Sequence, residues 1–104
     1  MIARSYRRVP ASLPGTLVMY DGPHVVRSVD LSRNGCRIRN NVRVAPGMVI
    51  DLLIFPPGED SPILIHEAMV RWSGDEGIGI EFQAVSLHHQ DRLDLLIKNL
   101  QKVH

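Results

Sequence analysis

The sequence predicts a mainly β domain: about six short antiparallel strands forming a sandwich or barrel, followed by one helix. Three observations carry that prediction. Apolar residues alternate with polar ones over short segments, and turns containing Gly, Pro or Asp recur between those segments. Only the last segment departs from a period of two, with apolar residues at spacings of three and four.

Residues 1–10 carry Arg4, Arg7 and Arg8 with few apolar anchors and end at Pro10, which reads as an arm that stays mobile until something orders it. Thr16-Leu17-Val18-Met19-Tyr20 reads as the first strand and runs into the turn Asp21-Gly22-Pro23. His24–Val29 resumes an extended pattern and ends at a turn beginning at Asp30. Cys36-Arg37-Ile38-Arg39 alternates small or apolar with basic residues, as a half-buried strand does. Ala45-Pro46-Gly47 and Pro56-Pro57-Gly58 bracket a fourth strand, Met48–Phe55. Ile63–Trp72 and Ile78–Phe82 follow, separated by Ser73-Gly74-Asp75-Glu76-Gly77. After an N-cap at Ser86, Leu93, Leu96, Ile97, Leu100 and Val103 form one helical stripe, which is expected to close an end or face of the β structure.

Composition narrows the function classes. A chain of 104 residues supports one domain with a single modest core. Net charge is +1, so no global field attracts DNA or an anionic membrane, and any anion site is local. The single cysteine, Cys36, allows neither an intrachain disulfide nor a thiolate zinc cluster and fits a reducing cytoplasm. No apolar stretch follows the N-terminal arginines as in a secretory signal, and no apolar run approaches a membrane span. The expectation is a small soluble cytoplasmic domain.

Two polar motifs about twenty residues apart carry the chemistry. In Arg4-Ser5-Tyr6-Arg7-Arg8, Arg4 and Arg8 offer planar, permanently charged forks suited to phosphate and to stacking on a purine. Taken alone, the pair reads rather as a solvated basic tail. In Asp30-Leu31-Ser32-Arg33-Asn34-Gly35, the carboxylate can accept the donors of a guanine edge and Ser32 can donate to a phosphate or a base. Gly35 supplies either a positive φ or room for close backbone approach. Taken alone, this segment reads rather as an Asp and a Ser capping their own turn.

The two motifs in this order, with Arg8-Val9-Pro10, the strand Gly77-Ile78-Gly79-Ile80-Glu81-Phe82 and a C-terminal helix, resemble the PilZ domain family over nearly the whole chain. The resemblance implies a six-stranded antiparallel β-barrel with a C-terminal α-helix. The boundaries are 1–10 for a ligand-binding arm, 11–83 for the barrel and 86–103 for the helix, in a single stand-alone domain 1–104. It also implies a receptor, not an enzyme, for the bacterial second messenger cyclic di-GMP. Arg4 and Arg8 then match the arginines that grip phosphate and stack on guanine, while Asp30, Ser32 and Gly35 match the positions that contact guanine and the nearby phosphate. Arg7 can add a phosphate contact. Ala3 stands where members that take up a stacked ligand pair often carry arginine, which favours one ligand molecule, although Arg7 can compensate.

Other residues carry less. Trp72 can stack on a guanine, but a lone Trp in a small barrel is more often packing. The adjacent His88 and His89 point apart on a helix and form no metal pair, and Cys36 reads as a small buried hydrophobe. Arg92, Lys98 and Lys102 read as a solvated helix face. No metal, cofactor or acid/base set is expected; the expected partners are cyclic di-GMP and a downstream protein, with no nucleic acid and no membrane insertion. Two alternatives stand beside this: a ligand-independent protein-interaction module on the same fold, and a single-strand nucleic-acid barrel, which five aromatic residues and near-neutral charge disfavour.

Overall fold

A computed structural model of the chain describes residues 7–39 and 42–102. Seven strands and one helix follow in order: β1 (Val9–Pro10), β2 (Pro14–Met19), β3 (Gly22–Ser32), β4 (Gly35–Arg39), β5 (Val49–Ile54), β6 (Ile63–Gly74), β7 (Gly77–Ala84) and α1 (Leu87–Lys102). Six strands close a barrel in the ring order β3–β2–β5–β6–β7–β4, sealed by β4 pairing back onto β3, and every pairing is antiparallel. The barrel therefore has the six expected strands, and β1 is an addition, paired to β3 at Val9↔Leu31 and Pro10↔Asp30.

The period-two pattern sets the inside of the barrel. Ile50, Leu52 and Ile54 of β5 point inward, as do Ile63, Ile65, Ala68 and Val70 of β6 and Ile78, Ile80 and Phe82 of β7; all are buried. Leu17 and Leu31 complete the centre with no exposed surface. A six-stranded barrel is narrow enough for such side chains to fill it. The gap bordered by Leu13, Val26, Leu31, Cys36 and Leu52 amounts to about 10 Å³, room for a water at most. Any organic ligand must bind outside.

Strand β3 serves three partners. One edge pairs with β2 up to Arg27 and then with β1 from Asp30, while the other edge pairs with β4 from Arg27 to Ser32. The handover falls at a bulge between Ser28 and Asp30. Ser28 fastens the passing chain there: its Oγ accepts the Leu13 N–H at 3.0 Å and donates to the Ala11 carbonyl, while the Ala11 N–H donates to Val29 O at 3.1 Å. Bulges re-aim side chains, and this one turns Asp30 toward β4. The strand does not stop at Asp30 as the sequence suggests. It continues to Ser32, and the turn is Arg33-Asn34.

Helix α1 follows Ser86, whose carbonyl accepts the Gln90 N–H at 2.8 Å as the first helical bond. Leu93 and Leu96 are buried, with Ile97 and Leu100 packed beside them, and the helix lies on β6 and β1. Full burial of Leu93 contributes about 1.5–3 kcal/mol. Val103 lies outside the described residues. Arg92 corrects the expectation of a solvated face: its side chain is only 19% exposed and donates to the carbonyls of Pro62 (2.8 Å) and Ser61 (2.6 Å) and to Glu59 (2.7 Å). The loop before β6 presents two successive carbonyls, Ser61 O and Pro62 O, and a five-donor guanidinium is the side chain that satisfies both at once. No helix among the described residues is long and apolar enough to cross a membrane.

Candidate functional site

One transverse row of residues organises the outer wall. Trp72 of β6 stands opposite Gly79 of β7, Gly79 opposite Arg37 of β4, Arg37 opposite Asp30 of β3, and Asp30 opposite Pro10 of β1. Five strands thus bring together residues from across most of the sequence.

Asp30 is the electrostatic centre of that row. Its side chain is 12% exposed and accepts three hydrogen bonds: from Arg8 Nη1 to Oδ1 at 3.0 Å, from the Arg37 backbone N–H to Oδ1 at 3.1 Å, and from Arg37 Nε to Oδ2 at 2.8 Å. These partners offset the hydration that a buried carboxylate gives up. Arg8 and Arg37 each keep about half their side-chain surface exposed, 51% and 48%, so both have donors to spare for an outside anion.

The other members of the second motif serve the turn. Ser32 is fully buried; its hydroxyl faces Asn34 Oδ1 at 2.9 Å and Gly35 O at 3.2 Å, and accepts weakly from the Asn34 N–H at 3.4 Å. Gly35 has no positive φ, so its need for glycine is room: a Cβ there would run into the Ile80 backbone carbonyl of β7. That room is filled by the barrel's own chain. Of the first motif, Arg8 enters the site. Arg7 is exposed and is not drawn into it, and Arg4 lies outside the described residues.

Beyond Asp30 the wall opens into a groove of about 300 Å³ bordered by Arg8, Asn34, Arg71, Trp72, Gly79, Ile80 and Glu81. At its centre Gly79 has no side chain of its own. The indole of Trp72 lies over Gly79, where any Cβ would coincide with the ring, and 42% of the Trp72 surface remains exposed. Arg71 pairs with Glu81 at 3.3 Å, and both are substantially exposed. Guanidinium groups, one indole face and a flat floor suit a planar anion.

Arg37, Arg71, Asn34 and Glu81 were not among the residues expected here. Strand alternation marks Arg37 and Glu81 as outward residues, whereas Asn34 lies in a turn and Arg71 beside the β6 bulge between Val70 and Trp72, where alternation does not reach. Arg37 was legible as an outward residue of its strand, and Glu81 follows Gly79 by two on the same face. Among the described residues no group of three or more His, Cys, Asp or Glu is arranged to hold a metal. The rings of His88 and His89 do meet, edge to face at 5.2 Å, because an imidazole pair one residue apart can still swing together. Cys36 sits behind Asp30 in the core, where burial, with a smaller push from the Asp30 charge, raises its thiol pKa to about 12.

These strands and this groove define a small β-barrel module with a polar, stacking-competent site on its outer wall. The family model described as PilZ domain matches residues 3–99, and the chain belongs to that family. No curated protein matches it. Among solved structures, the Bacillus subtilis inhibitor of motility (MotI/DgrA) is similar with a TM-score of 0.74 at 20% identity, covering 98% of this chain and 53% of that one. The PilZ domain of Escherichia coli YcgR with c-di-GMP gives 0.74 at 17% identity over 97% of this chain and 93% of that one. YcgR of Escherichia coli in complex with c-di-GMP gives 0.72 at 19% identity over 95% and 46%. The chain thus spans about half the length of MotI and of the longer YcgR structure.

Proposed function

We propose that the chain is a bacterial cytoplasmic receptor for cyclic di-GMP that binds the dinucleotide on the outer wall of the barrel and passes the signal to a downstream protein. The observation that carries the reading is the shared groove: Arg8 of the first motif and the half-exposed ring of Trp72 border one space. Arg8 and Arg37 supply cations for the phosphates and Trp72 a face for a guanine, while Arg4 and Arg7 would close over the other side. Family membership and the c-di-GMP carried by the two YcgR structures support the choice of ligand. The role is binding without chemical change, because the groove presents guanidinium, indole and amide groups and a lone carboxylate rather than an acid/base pair.

Calorimetric titration with cyclic di-GMP, with GTP and cyclic di-AMP as controls, tests this. The expected outcome is selective binding near micromolar, about −8 kcal/mol, weakened at least tenfold by Arg8→Ala. A folded protein that gives no heat refutes it.

The second reading, a ligand-independent interaction module, is favoured by one observation: Asp30, Ser32 and Gly35 each already have a structural task within the barrel. Normal partner binding by an Arg4→Ala, Arg8→Ala double variant would select it.

A further inference from the structure

We propose that the outer face of β3, β2 and β5 is where two copies of this chain pair, with Arg27 of each copy meeting Asp51 of the partner subunit. The strand registers lay three rows of outward residues across these strands. The middle row is Val25, Thr16 and Leu53. On one side of it Arg27 stands opposite Pro14, whose carbonyl accepts the Phe55 N–H at 3.0 Å. On the other side Pro23 stands opposite Val18, and Val18 opposite Asp51. Apart from two charged corners and the Thr16 hydroxyl, the face is apolar. Helix α1, which lies on β6 and β1, does not shelter it: Val25 is 79% exposed, and Pro14, Val18, Pro23 and Phe55 are exposed as well. An apolar patch with a polar rim marks a contact surface.

The charged corners say what covers it. Arg27 donates from Nη1 to Ser12 O at 3.0 Å and to Ser12 Oγ at 3.1 Å, both neutral acceptors. Directly opposite it on β4 stands Arg39, an exposed like charge, and such pairs destabilise a sheet. Among the described residues neither arginine is paired with a carboxylate. Asp51 is 44% exposed and has only His66 beside it, at 3.6 Å. Arg27 and Asp51 each stand one strand and two residues from Thr16, in opposite directions, so Thr16 marks the midpoint of a line about 17 Å long. A twofold axis in the plane of contact, crossing that line at right angles over Thr16, exchanges its two ends. Each Arg27 then faces Asp51 of the partner subunit, and Val25, Thr16 and Leu53 lie close to the axis between the two ion pairs. Closed twofold pairing requires this self-complementarity. Strand β2 lies three places from β7 around the ring, so the groove over Gly79 faces away from the contact and stays open in both copies.

Sedimentation equilibrium of the full chain tests this, with Arg27→Glu, Asp51→Lys and an equimolar mixture of the two variants. The wild type is expected to form a reversible dimer without any ligand. Either variant alone sets like charges against each other across the axis, and its dimer should dissociate at least about tenfold more readily. Their mixture should regain the wild-type association, because each variant supplies the charge that the other has lost. A misfolded variant could not be rescued in this way. A wild type that stays monomeric overturns the proposal and leaves the face to a different protein. A dimer indifferent to both charge reversals places the contact on another face. Loss in both variants without recovery on mixing overturns the pairing of Arg27 with Asp51.

Discussion

The indole of Trp72 rests on Gly79 so closely that a single methyl group at residue 79 would occupy the space of the ring. Gly79→Ala is therefore expected to tilt Trp72 off the floor of the groove. Stacking of a base on an aromatic ring contributes about 1–3 kcal/mol, so cyclic di-GMP affinity should fall about tenfold. The ring is half-exposed and can swing outward, so the melting temperature should drop by only a few degrees. Calorimetry and a thermal melt on the same sample check both; unchanged affinity would mean that the ring is packing only.

Asp30 and Arg8 form one pair but matter differently. Removing Arg8 loses an interaction whose cation is half in water, a change of about 0–1 kcal/mol. Asp30→Ala strands the Arg37 backbone N–H and its guanidinium at the β3–β4 seam, which costs about 1–3 kcal/mol. Urea midpoints should thus rank wild type, then Arg8→Ala just below it, with Asp30→Ala clearly lowest. The opposite order of the two variants would show that Arg8, not the seam, holds β1 and β3 together.

Cys36 should be chemically silent. It is 1% exposed and its thiol is pushed up to about 12, chiefly by burial, so thiolate is scarce at neutral pH. A thiol reagent such as DTNB should label the native protein at the rate of unfolding and the urea-denatured protein at once. Rapid labelling of the native form would place Cys36 at an opening in the barrel.

His89 should make stability depend on pH in one direction. Its Nδ1 accepts the Leu64 N–H at 3.1 Å, which requires the neutral ring, and desolvation holds its pKa below the ordinary 6.5, with further lowering by His88, Arg92 and His66. The unfolded chain then takes up the proton first. Stability from this group is complete above pH 6.5, falls as pH drops through that value, and levels off below the folded-state pKa. Urea midpoints at pH 7.5 and 5.5 should differ less in His89→Gln than in the wild type. An identical difference in both proteins would remove His89 from the account.

The sequence made the barrel legible because its strands are punctuated by Gly and Pro and its helix changes period at Ser86. It hid β1, since two residues, one of them a proline, have no periodicity, and their pairing is set by β3 about twenty residues away. Asp30 read as a turn because Asp so often caps its own turn. Arg8 and Arg37 override that local preference from 22 and 7 residues away, which no local pattern records. The site divides the same way. Arg8 and Asp30 could be found by motif, and Trp72 by residue type. Arg71 and Glu81 owe their place to the registers of β6 and β7, which exist only once the barrel closes.

Arg8 lies one residue ahead of β1, and β1 is fastened to β3 at Leu31 and Asp30. Its guanidinium is thus held on a leash a single residue long, and a short tether of this kind sustains a local concentration in the millimolar range or above. A simple anion arriving from solution must lure that cation away from Asp30 with one contact and gains little. A dianion carrying two flat bases offers the tethered cation a phosphate while occupying Trp72 at the same time. On the receptor reading proposed above, the leash would make the wall discriminate by valency, favouring ligands that engage both ends at once over single phosphates.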